Sequence, residues 1–166
     1  MSRAFVKEGD GALDPLPDLP QSPYPNYVTP RGLASLQARL QQRQSDLAVL
    51  KSRPDRLDKL PEAAAERDIR YLESRLRSAI LTQPSPNLQE AAFGHCITVT
   101  DPNGKTVTYE ITGEDEADAA LHRIAPHAPL ARALLGAQVG DEVIWRKPNG
   151  PITLTIQGIC HAGSEP

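Results

Sequence analysis

Aromatic side chains are scarce: Phe, Tyr and Trp make up 4% of the 166 residues, and Trp145 is the single tryptophan. A core therefore has to be built from Leu, Ile, Val and Ala, within a hydrophobic content of 39%. That is enough for one ordinary domain or two small ones. An excess of positive charge is missing too. The net charge of -3 argues against tight nonspecific binding to a nucleic-acid backbone, which needs clustered positive charge. It leaves room for a protein partner that itself holds nucleic acid. No run approaches the roughly 20 apolar residues that cross a bilayer, and the opening MSRAFVKEGDG lacks the apolar stretch of a signal peptide. No membrane partner is expected, and the chain reads as cytoplasmic. The two cysteines, Cys96 and Cys160, fall in strand-like segments. They are expected as reduced, partly buried thiols rather than as a structural disulfide. His95, His122, His127 and His161 are scattered without ligand spacing, which argues against a zinc site. No Gly-rich phosphate loop and no nucleophile elbow is present, so no cofactor of its own is expected.

What is present divides into three regions. Residues 1–28 form a proline-rich extension, with Pro15, Pro17, Pro20, Pro23 and Pro25 at intervals of two or three. Proline removes backbone donors and turns its preceding neighbour away from helix. The segment reads as a floppy or extended tail, with Phe5, Leu13, Leu16 and Tyr24 as its candidate contacts to the folded part. Residues 29–82 read as an antiparallel coiled-coil hairpin. Thr29-Pro30 is a helix start, with a capping hydroxyl followed by a proline at the first helical position. Leu33, Leu36, Leu40, Leu47 and Leu50 then occupy heptad a and d positions, with Arg43 in the missing slot. Ala65, Ile69, Leu72, Leu76 and Ala79 repeat the alternation after a breaker, SRPDRLDKLPE, in which Pro54 and Pro61 interrupt the helical pattern.

A linker, residues 83–91, leads to a third region, 92–162, where the period becomes two. Strands are expected over residues 95–100 and 106–112 around the turn Asp101-Pro-Asn-Gly104, and over 142–146 and 152–159. Between the pairs, residues 113–120 (GEDEADAA) read as an acidic, mostly solvated loop or a site for a basic partner. Pro129 opens a short helix whose buried side is Leu130, Leu134 and Leu135, ended by Gly136. The fold class is α+β: a two-helix hairpin followed by an antiparallel sheet of four or more strands with one short helix.

Ile111-Thr-Gly-Glu-Asp-Glu-Ala-Asp118, Ala128-Pro-Leu-Ala-Arg-Ala-Leu-Leu-Gly136 and Val139-Gly-Asp-Glu-Val143, in that order and spacing, resemble the C-terminal domain of the Gre-type bacterial transcript-cleavage factors. Tyr27-Val-Thr-Pro-Arg-Gly-Leu33 looks like the start of the Gre hairpin, and Phe93-Gly94 like the approach to the first C-terminal strand. The resemblance covers roughly residues 26–160. It implies an FKBP-like C-terminal domain that binds the rim of the RNA polymerase secondary channel, and a coiled coil that enters the channel. It implies nucleic-acid contact only through the elongation complex, and a monomer. It also implies that the chain is no enzyme by itself. Acidic residues at the hairpin tip help hold Mg²⁺ and a water at the polymerase active site, so that the polymerase cleaves backtracked RNA. The alternative is a Gre-like channel binder that does not promote cleavage and competes with or modulates true cleavage factors.

Asp55 and Asp58 match the family's tip acids in type and in i, i+3 offset, and share a face if the tip is helical. They are the candidate catalytic and Mg²⁺-sharing residues. Asp55 follows Pro54, however, and Arg53, Arg56 and Lys59 surround the pair. Aligning the second helix through Leu72-Glu-Ser-Arg-Leu76 places the tip about one heptad early, roughly 10 Å of helix rise. A plain alternative role for either acid is to cap the second helix. The candidate partner-binding residues are His127, Ala128, Pro129, Leu130 and Arg132, aligned with the family's docking loop; here His127-Ala128-Pro129 stands where Asp-Ser-Pro is usual. An FKBP-like fold invites the thought of prolyl isomerase activity, but the low aromatic content argues against the apolar pocket that chemistry uses, and a fold alone does not transfer function.

Overall fold

The computed structural model describes residues 13–163. It is a mixed α+β structure in which two helices join a curled sheet. Strand β1 (Tyr27–Val28) leads into helix α1 (Pro30–Lys51); helix α2 (Leu60–Ser78) returns and ends in β2 (Ile80–Leu81). The Thr29 hydroxyl accepts the Gly32 amide at 2.9 Å, with Pro30 in the first turn of α1, which satisfies an amide the helix cannot use internally. The helices run antiparallel. Leu36 packs with Leu72, Arg43 reaches Asp68 at 3.4 Å, and Lys51 pairs with Glu66 at 2.9 Å toward the far end. Arg43, in the leucine-less heptad slot, thus serves as a polar rung. Pro61 does not break a helix: it lies in the first turn of α2, where its missing N–H costs no hydrogen bond.

Parallel pairing of β1 with β2 closes the base of the hairpin, matching Tyr27 to Ile80 and Val28 to Leu81. The period-two pattern did not mark strands this short. Asn26 reinforces the closure from within. Its amide donates to the Arg75 carbonyl at 2.8 Å and the Ser78 hydroxyl at 3.1 Å, and its carbonyl accepts from Arg75 at 2.7 Å.

The larger sheet has the order β5-β4-β3-β7-β6. Its strands are β3 (His95–Thr100), β4 (Thr106–Ile111), β5 (Arg123–Ile124), β6 (Glu142–Lys147) and β7 (Gly150–His161). It is not wholly antiparallel as expected, because β5 pairs parallel with β4. Two short 3₁₀ turns, Glu114–Glu116 and Ala119–Leu121, carry the chain back to the same end of the sheet before β5 begins. Helix α3 (Pro129–Leu134) covers one face. The buried core is Ala91, Ile97, Val99, Ile111, Leu130, Ala131, Leu134, Val143, Leu154 and Ile156, aliphatic throughout as the composition requires. Burying each large member stabilises by about 1.5–3 kcal/mol. Leu135, expected on the buried side, is 38% exposed. It follows the last helical residue in an extended conformation, which turns it out of the helical face; Ala131 takes the buried place.

Cys96 and Cys160 are register partners across β3 and β7, and both are free thiols. Burial, then the nearby Glu110 and Cys160, pushes the Cys96 thiol up to about 11. The Nε2 atom of fully buried His95 lies 2.8 Å from the Ser85 carbonyl, and its Nδ1 accepts the Ala92 amide at 3.2 Å, so this histidine clamps the linker to the sheet.

Candidate functional site

Three places concentrate polar chemistry: the tip between the helices, the seam between hairpin and sheet, and the face around α3.

At the tip the chain from Ser52 to Lys59 is irregular, so Asp55 and Asp58 do not share a helical face. Pro54 stops the backbone from continuing α1, and each acid makes a local turn instead. Asp55 Oδ1 accepts the Leu57 amide at 3.0 Å, and Asp58 Oδ1 accepts the Leu60 amide at 3.0 Å. Such Asx turns are the favoured use of Asp outside helices. The guanidinium of Arg53 bridges the two ends of the loop, donating to the Leu50 carbonyl at 3.0 Å and the Asp58 carbonyl at 3.1 Å. Arg56 forks onto Glu62 through bonds of 2.9 and 2.6 Å. That hydrogen bonding holds the Glu62 carboxyl below the usual carboxylate range, against the opposing effect of desolvation. The third acid of the tip is therefore committed to bracing, while Leu57 stands at the apex 93% exposed. As oxygen donors Asp55 and Asp58 suit a hard cation such as Mg²⁺. Among the described residues, however, no group of three or more His, Cys, Asp or Glu side chains comes together as a metal site. Asp55 and Asp58 stand as two separate carboxylates, each accepting one backbone amide.

The seam was not legible in the sequence. The acidic run after β4 is neither a solvated loop nor a site open to an external basic partner. Its basic partners lie within the chain. Arg75, 2% exposed on α2, donates to Asp115 at 2.6 Å and approaches Glu114 at 3.5 Å. The Tyr71 hydroxyl donates to Asp115 at 3.0 Å; burial, with Asp115 close by, raises the pKa of this tyrosine. Glu116 accepts from the Thr29 hydroxyl at 2.6 Å and from Arg31, which also reaches Glu110 at 2.6 Å. Two glycines permit this closeness. A Cβ at Gly32 would stand 2.7 Å from the Glu116 carboxylate, and one at Gly113 would collide with the Tyr27 carbonyl. The hairpin is bolted to the sheet at its base by charge-assisted hydrogen bonds, the stronger class of such bonds.

The α3 face holds the loop proposed for a partner. Ala128 caps α3 with extended backbone and Pro129 opens it. Pro129 and Arg132 are exposed. Leu130 is 3% exposed and belongs to the core, because its position on α3 points at the sheet; it reaches the surface only as the floor of a cavity of about 320 Å³ walled by Tyr109, His122, Ile124 and Trp145. Tyr109 meets Trp145 edge-on at 6.2 Å and His122 at 5.5 Å, so a few converging rings suffice to line an apolar pocket. On the other side of Pro129 a groove of about 340 Å³ has Ala133 and Ile144 in its floor and Arg132 and Arg146 at its rim. His127 lies under the ring of Tyr24, with centroids 4.3 Å apart and planes 7° from parallel, and its Nδ1 is 3.1 Å from Glu114.

Residues 85–160 match the family model for the C-terminal part of the transcription elongation factors GreA/GreB. Transcription elongation factor GreB of Neisseria meningitidis serogroup B is 32% identical over 158 residues, covering 81% of this chain and 93% of that protein. The chain belongs to the GreA/GreB family. The GreA proteins of Halorhodospira halophila (39% identical over 92 residues, 53% of this chain) and Pseudomonas putida (31% over 103 residues, 60% of this chain) are similar over a shorter span. The chain matches only 58% and 64% of the length of these two relatives. In three dimensions it is similar to the GreA factor homolog Gfh1 of Thermus thermophilus, with 22% identity and a TM-score of 0.41 over 82% of this chain and 99% of that one. A GreA/GreB factor from Nitrosomonas europaea gives 18% identity and 0.42 over 83% and 99%. Within this GreA/GreB chain the two sets of candidate residues, Asp55 with Asp58 and the loop from His127 to Arg132, sit on different elements with the buried seam between them. Among the described residues no helix is long and apolar enough to cross a membrane.

Proposed function

We propose that the protein is a transcription elongation factor that binds RNA polymerase at its secondary channel, cytoplasmic and monomeric, and that stimulates cleavage of backtracked transcripts without being a nuclease itself. In this reading residues 92–162 are an FKBP-like docking domain, residues 29–82 are a coiled-coil hairpin that enters the channel, and residues 1–28 are an appended extension. The observation that carries the reading is the seam. A hairpin that delivers a side chain to a distant reacting centre has to be held at a fixed angle to its docking domain, and the Arg75–Asp115–Asn26 cluster with the Arg31–Glu116 pair supplies that hold. Positioning to within about 1 Å is worth large factors in rate. Pro129 and Arg132, with His127 and Ala128 before them, meet the channel rim; Leu130 supports them from the core. At the tip Asp55 and Asp58 would be the residues whose carboxylate oxygens share the polymerase's Mg²⁺, which would activate a water and stabilise the developing charge. The chain's own part is to orient those oxygens through the Asx turns.

A halted, backtracked elongation complex supplies the test. Added protein is expected to accelerate release of short 3′ RNA fragments, and Asp55→Ala with Asp58→Ala to abolish the acceleration while leaving binding intact. Equal cleavage with the double variant would sink the assignment of the tip acids. One observation favours the alternative of a non-cleaving channel binder: both acids are already engaged by backbone amides, and Arg53 and Arg56 stand beside them. On that reading the wild type binds, blocks a cleaving factor and accelerates nothing.

A further inference from the structure

The proline-rich segment belongs to no part of the function proposed above, yet its described residues are held in place along the whole molecule. Near its start the Arg70 side chain of α2 takes both the Leu16 carbonyl, at 2.7 Å, and the Asp18 carboxylate, at 2.6 Å. Ser22 then donates to Glu114 at 2.6 Å. Tyr24 completes the series on His127, and its hydroxyl accepts from Arg132 at 3.4 Å, the Arg132 guanidinium carbon lying 5.9 Å from the ring centre. Prolines on both sides of Tyr24 restrict the chain to extended conformations, so little backbone entropy is lost when the ring is set down there. The ring nevertheless remains 43% exposed. It is a pre-positioned aromatic, with one face on an imidazole and a cation at its hydroxyl end. It stands next to the apolar groove of Pro129, Ala133 and Ile144, whose two arginines, Arg132 and Arg146, have no carboxylate partner among the described residues. Exposed tyrosine beside arginine is the composition of protein-binding hot spots rather than of inert surface.

We infer that Tyr24 is a docking residue: the proline-rich segment is a strap that adds this ring to the α3 face, so that the face meeting the partner is built from both ends of the chain. The inference rests on the reading of that face as the polymerase-docking surface. Its partner is a polymerase segment with apolar side chains for the groove and the Tyr24 ring, and acidic groups for Arg132 and Arg146.

The test is affinity of the full chain for RNA polymerase, measured for wild type, Tyr24→Phe and Tyr24→Ala beside their thermal midpoints. Tyr24→Phe keeps the stack and is expected to bind like wild type. Tyr24→Ala is expected to bind about tenfold more weakly, the effect of one lost aromatic contact, at an unchanged midpoint. In wild type, hydroxyl-radical labelling of Tyr24 is expected to fall when polymerase is added. Equal or tighter binding by Tyr24→Ala overturns the inference, tighter binding marking the strap as a cover over the face; undiminished labelling overturns it as well. If wild type itself does not bind polymerase, the function proposed above fails and takes this inference with it.

Discussion

The base and the tip of the hairpin use the same residue types, arginines set against carboxylates, to different ends. At the base Arg75 is buried, its guanidinium satisfied by Asp115, Asn26 and Glu114 together. At the tip Glu62 is buried but its partner Arg56 is half-exposed, and Arg53 divides its donors between two backbone carbonyls and an approach to Glu62. A buried charge has no water to fall back on, so removing one partner costs the desolvation of the other. A pair whose cation is open to water recovers part of each lost bond from solvent and adds less to global stability. The base thus holds the fold together, and the tip shapes a loop.

The sharpest way to break this contrast is Arg75→Ala. It strands Asp115 and Asn26 inside the seam and is expected to cost about 3–5 kcal/mol, read as a lowered denaturant midpoint; a loss below about 1 kcal/mol would show that the seam is wetter than its geometry implies. Thr29→Ala comes next, because the hydroxyl both caps α1 and donates to Glu116. About 1–2 kcal/mol is expected, again from equilibrium unfolding. Glu62→Gln is expected to leave the midpoint where it is while speeding hydrogen exchange at the tip amides; a drop in the midpoint matching that of Arg75→Ala would erase the distinction between the two regions.

Acidity gives a finer contrast. Hydrogen bonding to Arg56 depresses the Glu62 carboxyl in the folded chain, so the bracing is fully present above the ordinary carboxylate pKa, about 4.3, and is lost as the pH falls through the depressed folded value. Exchange of the tip amides is expected to rise in that acidic window before the hairpin base opens. The smallest effect lies in the sheet. With Cys96 pushed up to about 11 from the ordinary thiol value near 9.0, its thiolate is about a hundredfold scarcer at neutral pH than that of an ordinary thiol. Alkylation of Cys96 is expected to be slower by a similar factor unless the chain is unfolded, and equal rates in both states would contradict its burial.

Much of the architecture was legible because it follows from local periodicity and turn chemistry. The leucine heptads, the Thr29-Pro30 start, the Asp101–Gly104 turn and the α3 start at Pro129 each depend on neighbours within a few residues. The seam was not legible, because Arg75 and Asp115 lie forty positions apart, and an acidic run beside a β-strand looks the same whether water or a buried arginine answers it. The parallel β5 and the two-residue strands at the hairpin base escaped for the same reason, since a pairing partner far along the chain leaves no local trace. At the tip the expected common face did not form: i, i+3 spacing means a common face only in a helix, and Pro54 denies that helix.

The sequence by itself thus determined the three helices, the four longer strands, the aliphatic character of the core and the family resemblance, since these rest on short-range stereochemistry and on the order of motifs. Tertiary structure alone decided what the charges do. Whether an acid is a ligand, a cap or half of a buried bolt depends on what stands across from it and on whether water can reach the pair, and only the folded chain brings Arg75 to Asp115, Tyr24 to His127 and Arg56 to Glu62.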